Sequence, residues 1–251
     1  MHNSFQKTLK TRVSFEGIGL HSGKIARVSL NPATENSGIV FKRTDIKGNN
    51  IIKANYQNVS STNLCTVLKN ENNSTISTVE HLVAAFYITG IDNVLVEVDN
   101  AEIPIMDGSS KDFMEIINNA GIKEQFKKRK YVKVLKDIEI KEGNKHINLT
   151  SESKSLKVDY ELDYENKLIS NQRNIINFLS DDLEDVYTSR TFCLYKDIEK
   201  IKKAGLAKGG SLNNAIVVDE DKIINENGLR NKKEFVNHKI LDLAGDLFLA
   251  G

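Results

Sequence analysis

The chain has 251 residues, with 35 Lys+Arg against 34 Asp+Glu and a formal net charge of +1. That balance argues against a general nucleic-acid binder, which carries a basic excess, and 27% charged with 39% hydrophobic residues excludes a disordered chain. Two cysteines, Cys65 and Cys193, are too few for a disulfide framework or a four-thiolate metal site and read as thiols in a reducing compartment. In chain order, residues 1–7 lack the apolar core of a secretory signal. Residues 13–32 read as two strands. Val13, Phe15, Ile18 and Leu20 lead into His21-Ser22-Gly23, and Ile25, Val28 and Leu30 follow with polar residues between them. Strand signals recur at residues 38–41, 65–68 and 93–98. Between the last two, residues 77–89 read as a helix opened by a Ser77-Thr78-Val79-Glu80 capping box. Its near-continuous apolar run from Leu82 predicts burial. No stretch reaches the roughly 20 apolar residues of a spanning helix, so no membrane span is expected. Residues 112–120 read as an amphipathic helix ending at Gly121.

Residues 123–130, Lys-Glu-Gln-Phe-Lys-Lys-Arg-Lys, are basic without interleaved aromatics and read as a solvated linker between two halves, 1–125 and 126–251. The second half repeats the first half's order of elements: strands at 132–140, 146–149 and 156–162, a helix at 197–204, a strand at 215–218 and a final helix at 234–250. Asp112-Phe113 ending at Ala120-Gly121 matches Glu234-Phe235 ending at Ala244-Gly245. The predicted class is α+β, with two similar halves, each carrying helices on a mostly antiparallel sheet.

The final helix carries the chemistry. Apolar residues cover most of its circumference, so it is expected to be largely buried, yet His238, Asp242 and Asp246 run through it four residues apart. Side chains at that spacing share one face, where an imidazole and a carboxylate can grip one metal ion. The plain alternative is a His238–Asp242 hydrogen bond inside a core. Glu80-His81 has the same two readings: a satisfied core histidine beside a capping glutamate, or a third ligand beside a base. Two nitrogens and one carboxylate oxygen match a three-ligand catalytic zinc site, whose water ionises near pH 7; no H-E-x-x-H motif occurs. The hydroxyls of Tyr187-Thr188-Ser189-Arg190-Thr191 suit an oxyanion donor or a turn, and the glycine-rich residues 205–211 read as a turn flanking a pocket.

Several motifs stand in order along the chain: Gly17-Ile18-Gly19-Leu20-His21-Ser22-Gly23, Ser77-Thr78-Val79-Glu80-His81-Leu82 and Glu102-Ile103-Pro104-Ile105-Met106-Asp107-Gly108-Ser109. Ser189-Arg190-Thr191-Phe192, Lys208-Gly209-Gly210-Ser211 and His238-Lys239-Ile240-Leu241-Asp242 complete the set. Together they resemble the UDP-3-O-acyl-N-acetylglucosamine deacetylases, zinc amidases of lipid A synthesis in Gram-negative bacteria. The resemblance implies His81, His238 and Asp242 as zinc ligands, Glu80 as general base and Thr191 as an oxyanion donor. It implies Lys239 as a substrate contact, and Phe192, Leu194, Ile198 and Gly210 around a passage for the acyl chain. Asp246 corresponds to a carboxylate that orients a later catalytic histidine. The family fold is two α+β halves with the metal between them.

The resemblance also implies a family chain running past Gly251, with a glycine-histidine pair whose histidine acts as general acid or oxyanion stabiliser. No histidine follows His238; His21 belongs to the first loop motif, while His2 and His146 carry none. The chain therefore reads as lacking that segment, with apolar surface left exposed on its last helix. Two functions follow from this reading. One is zinc-dependent release of acetate from acylated UDP-N-acetylglucosamine by a cytoplasmic monomer. The other is a truncated remnant that binds zinc and ligand with poor turnover.

Overall fold

The computed structural model describes residues 4–151 and 155–251, so His2 lies outside it. Strands β1 (Phe5–Leu9), β2 (Val13–Ile18), β3 (Ile25–Pro32), β4 (Ile39–Arg43) and β5 (Ile51–Lys53) lead the chain. Three short strands follow, β6 (Val59–Ser61), β7 (Val67–Lys69) and β8 (Thr75–Ser77), then helix α1 (Glu80–Thr89), β9 (Val94–Val98) and α2 (Lys111–Ala120). Beyond them run β10 (Ile122–Lys128), β11 (Ile138–Glu142), β12 (Lys145–Leu149), β13 (Lys157–Asp163) and β14 (Asn171–Asn177). The chain closes with α3 (Glu184–Tyr187), β15 (Phe192–Leu194), α4 (Tyr195–Lys203), β16 (Ile216–Asp219), β17 (Lys222–Ile223) and α5 (Glu234–Phe248).

The class is α+β, and the sheets are mostly antiparallel. The largest has the order β2-β3-β9-β4-β5, with β4 and β9 the parallel pair. Alternation fixes its inner face: Ala26, Val28 and Leu30 of β3 and Val94, Val96 and Val98 of β9 are buried beneath α1 and α2. Smaller sheets are β6-β7-β8, β13-β14 and β15-β16-β17, whose β15–β16 contact is parallel. Helix α5 packs on α1 and α3 and on the β13-β14 pair. Its Phe235 and Val236 enter one apolar cluster with Ile216 and Val218, and its Ile240 and Leu241 another with Ala84 and Val158.

Several expectations change. The basic run at 123–130 is not a linker: β10 pairs antiparallel with β1, from Phe5↔Lys128 to Leu9↔Ile122. Nearly all its side chains face solvent, so the sequence offers no alternation to mark it as a strand. Strand β14 was not foreseen, because its polar positions outnumber its apolar ones. The end of α5 is covered rather than exposed: Leu249 lies in the main core, and its carbonyl accepts from the Tyr56 amide at 2.8 Å. Exposed apolar side chains recur instead along residues 126–140, at Phe126, Tyr131, Val132, Leu135, Ile138 and Ile140. No helix among the described residues is long and apolar enough to cross a membrane.

Candidate metal centre and active site

The site is made where the start of α1 meets α5. At Gly245 a Cβ would collide with the Glu80 carbonyl oxygen and press on the Ala84 amide, so a residue without a side chain sets how closely the helices approach. The predicted capping box does not form. Ser77 is held in β8, and Thr78 turns to a left-handed φ of 57° and hydrogen-bonds Glu102 instead (Oγ1 to Oε1, 3.1 Å). The helix therefore starts at Glu80, after an N-cap Val79 that has no side chain to cap with. Glu80 is thereby released from capping, and its Oε2 accepts from the Thr66 amide at 3.0 Å.

Helix α5 presents polar side chains at Glu234, His238, Asp242 and Asp246. Glu234 and His238 are buried, Asp242 is half-buried and Asp246 reaches the surface, so the stripe runs from core to solvent rather than staying inside. From α1, His81 Nε2 lies 3.3 Å from Asp242 Oδ1, and His238 Nε2 lies 3.5 Å from the same oxygen. These three atoms, each able to ligate a metal, fall within 4.8 Å of one another, and the two rings meet edge to face at 5.0 Å.

These residues fit a metal ion. Tetrahedral coordination at about 2.0–2.2 Å puts neighbouring donors about 3.3–3.6 Å apart, which is the spacing of each histidine nitrogen from Asp242 Oδ1. Asp242 Oδ1 is buried and has no hydrogen-bond partner, while Oδ2 is held by Lys239 Nζ at 3.0 Å. The Ser189 carbonyl, which can only accept, takes the Nδ1 proton of His238 at 3.1 Å and leaves Nε2 as the donor atom. Burial pushes the His238 pKa down to about 3, keeping the ring neutral as a ligand must be. The Asp242 charge pushes Lys239 the other way, so its ammonium stays protonated.

Of the other predicted residues, Glu80 adjoins His81 at the start of α1, and Phe192 touches His238 and Lys239. Burial pushes the Glu80 carboxyl up to about 7, against the pull of His81. Thr66 joins it to Asp246, donating its hydroxyl to Asp246 Oδ1 at 2.7 Å. The Phe192 ring meets Phe235 at 4.9 Å and His238 at 6.4 Å, with Lys239 Nζ 5.6 Å from its centroid. The Thr191 backbone is clamped between the Gly108 carbonyl and the Ile216 amide, both at 2.8 Å. Leu194 continues β15 away from Phe192, Ile198 is half-buried on α4, and Gly210 lies against Ala207 and Leu20. Glu102 accepts the His21 and Ser22 amides at 2.7 Å, joining two of the sequence motifs.

Sequence reasoning missed Thr66, Ser110 and Glu234. The Ser110 hydroxyl donates to the His81 carbonyl at 2.7 Å, and Glu234 forms a buried ion pair with Arg190 at 2.7 Å. Glu234 carried a signal, since it lies four residues before His238 and extends the same stripe. Thr66 and Ser110 carried none, because their partners are remote in the chain.

Two imidazoles and a carboxylate converging on one point, beside a buried carboxyl poised near neutrality, are the equipment of a hydrolytic enzyme. The family model for UDP-3-O-acyl N-acetylglycosamine deacetylase, LpxC, matches residues 6–251. Curated UDP-3-O-acyl-N-acetylglucosamine deacetylases are similar throughout. That of Actinobacillus pleuropneumoniae serotype 3 (strain JL03) is 44% identical over 249 residues, 98% of this chain and 81% of the relative. Those of Shewanella violacea (44% over 250 residues) and Pasteurella multocida (42% over 251) cover the same shares. The chain belongs to this deacetylase family.

Proposed function

We infer that the chain hydrolyses the acetamide of UDP-3-O-acyl-N-acetylglucosamine, releasing acetate and the 2-amino sugar in lipid A biosynthesis, with zinc held by His81 Nε2, His238 Nε2 and Asp242 Oδ1. The observation that carries the reading is the unpartnered, buried Asp242 Oδ1 with both histidine nitrogens aimed at it. Zinc there supplies Lewis-acid polarisation of the acetamide carbonyl and makes water acidic enough to attack near pH 7. Glu80, oriented by the Thr66 amide, takes the proton from the attacking water and returns it to the departing amine nitrogen. Thr191 offers its hydroxyl to the oxyanion, a position where a fixed donor counts most. Lys239, held over Phe192 by Asp242, meets the substrate with its charge. Phe192, Leu194, Ile198 and Gly210 border the acyl chain, and Asp246, which accepts the Thr66 hydroxyl, is the carboxylate that orients a later catalytic histidine in the family. The site joins two halves, residues 1–125 supplying Glu80 and His81 and residues 126–251 supplying His238 and Asp242. A sugar nucleotide as substrate and two free thiols agree with a cytoplasmic setting.

Acetate release from the acylated UDP-sugar, measured with zinc content on the same sample, tests the reading. Wild type is expected to turn over with one zinc per chain, and Glu80→Ala to keep the zinc while losing about 10²–10⁴ in kcat. A wild-type chain that holds no zinc, or a Glu80→Ala variant at full rate, would overturn it. Stoichiometric zinc with no wild-type turnover would favour the ligand-binding remnant instead.

A further inference from the structure

His238 is tied back to its own helix through a single peptide group. The Ser189 carbonyl accepts from His238 Nδ1 at 3.1 Å, and the amide of that same peptide unit, Arg190 N–H, donates to Glu234 Oε1 at 3.1 Å. The two poles of one peptide plane are thus gripped by side chains one turn apart on α5. Glu234 is fully buried, at 0% exposure. Besides that amide it accepts from Arg190 Nε at 2.7 Å, from Arg190 Nη2 at 3.2 Å and from the Arg230 amide at 2.6 Å. Arg190 Nη2 also donates to the Gly228 carbonyl at 2.8 Å.

Stability alone gives little reason for this arrangement. A buried ion pair is generally no more stabilising than apolar groups of the same volume. What apolar groups cannot do is hold the amide. Because the peptide is planar and rigid, fixing its N–H fixes the direction of its carbonyl. A carboxylate on the N–H also polarises the unit, and hydrogen bonds in such a chain strengthen one another. We propose that Glu234 is a positioning residue for the metal centre, acting on His238 through the Ser189–Arg190 peptide to orient the imidazole and strengthen Nε2 as a donor. The proposal rests on the reading of His238 as a ligand. It extends to the far side of the peptide the rule that a ligating histidine needs its other nitrogen engaged.

The test compares the full chain with Glu234→Gln, which keeps the side chain's shape and removes its charge. Zinc affinity is measured by competition with a chromophoric chelator, and the His238 Nδ1 proton resonance is followed in the metal-free protein. Glu234→Gln is expected to bind zinc about 10–100-fold more weakly and to move that resonance upfield. Ile52→Val, a core truncation in β5 that touches none of the site's polar groups, lowers stability by packing and is expected to leave zinc affinity unchanged. Should Glu234→Gln fail to fold, Glu234→Asp, which keeps the charge but retracts it, is expected to show a smaller loss of the same sign. Folded Glu234 variants that match wild type in affinity and resonance would overturn the proposal. So would an equal affinity loss in Ile52→Val. Wild type binding no zinc is a separate outcome, which removes the ligand reading and this proposal with it.

Discussion

Helices α1 and α5 turn Glu80, His81, Glu234 and His238 inward, whereas the β11–β12 hairpin and the segment before it turn Leu135, Ile138 and Ile140 outward. In the helices three of these four groups are held by a hydrogen-bond partner, Glu80 by Thr66, Glu234 by Arg190 and His238 by Ser189, while His81 Nδ1 has none. The hairpin is held by its own backbone ladder, with Leu135 84% exposed and Ile140 58% exposed. A two-stranded ladder without an apolar face to bury is marginal by itself. The difference teaches where this chain spends its specificity. Polar groups taken out of water admit few arrangements, because an unpaired one is costly, while apolar groups left in water impose almost none.

That contrast can be broken from the helix side first. Phe86→Ala removes a fully buried ring from α1 and is expected to cost about 3–5 kcal/mol in urea unfolding, with zinc binding weakened because α1 loses its seat. Unaltered zinc affinity in that variant would mean that the core beneath α1 does not set the site. Gly245→Ala comes next. Its methyl group has no space against the Glu80 backbone, so α5 must shift, at about 1–3 kcal/mol and with a loss of zinc affinity that outlasts refolding in stabilising osmolyte. The hairpin change should be the smallest: Ile140→Thr is expected to alter stability by less than about 0.5 kcal/mol and leave zinc binding untouched. A large effect there would show that the hairpin packs against something in solution.

How much of this was legible in the sequence follows from the range of the contacts. His238, Asp242 and Asp246 were legible as one stripe because the helix period alone aligns them, and the apolar run after His81 marked α1 as buried. Local rules then misled at the junction. Ser77-Thr78-Val79-Glu80 has the letters of a capping box, but Ser77 is committed to a strand and Thr78 to Glu102, a partner 24 residues away. The Thr66–Asp246 bond spans 180 residues, and no periodicity encodes it. Strand β10 hid because both its faces are wet and its partner is the first strand of the chain. The motifs of the resemblance supplied what spacing alone could not, since they joined His81 to His238 before any contact was visible.

The two histidines that meet at 5.0 Å come from helices on opposite sides of the β10–β14 region of the chain. Any ion gripped by both is therefore also a crosslink, closing a long loop whose entropic cost grows only slowly with length. An unfolded chain cannot present that pair, so the ion's free energy of binding is added to that of folding, by about 2.7 kcal/mol once the ion exceeds its dissociation constant a hundredfold. For such a chain the supply of metal is as much a condition of persistence as of turnover, and scarcity would thin the population of folded molecules as well as idle them.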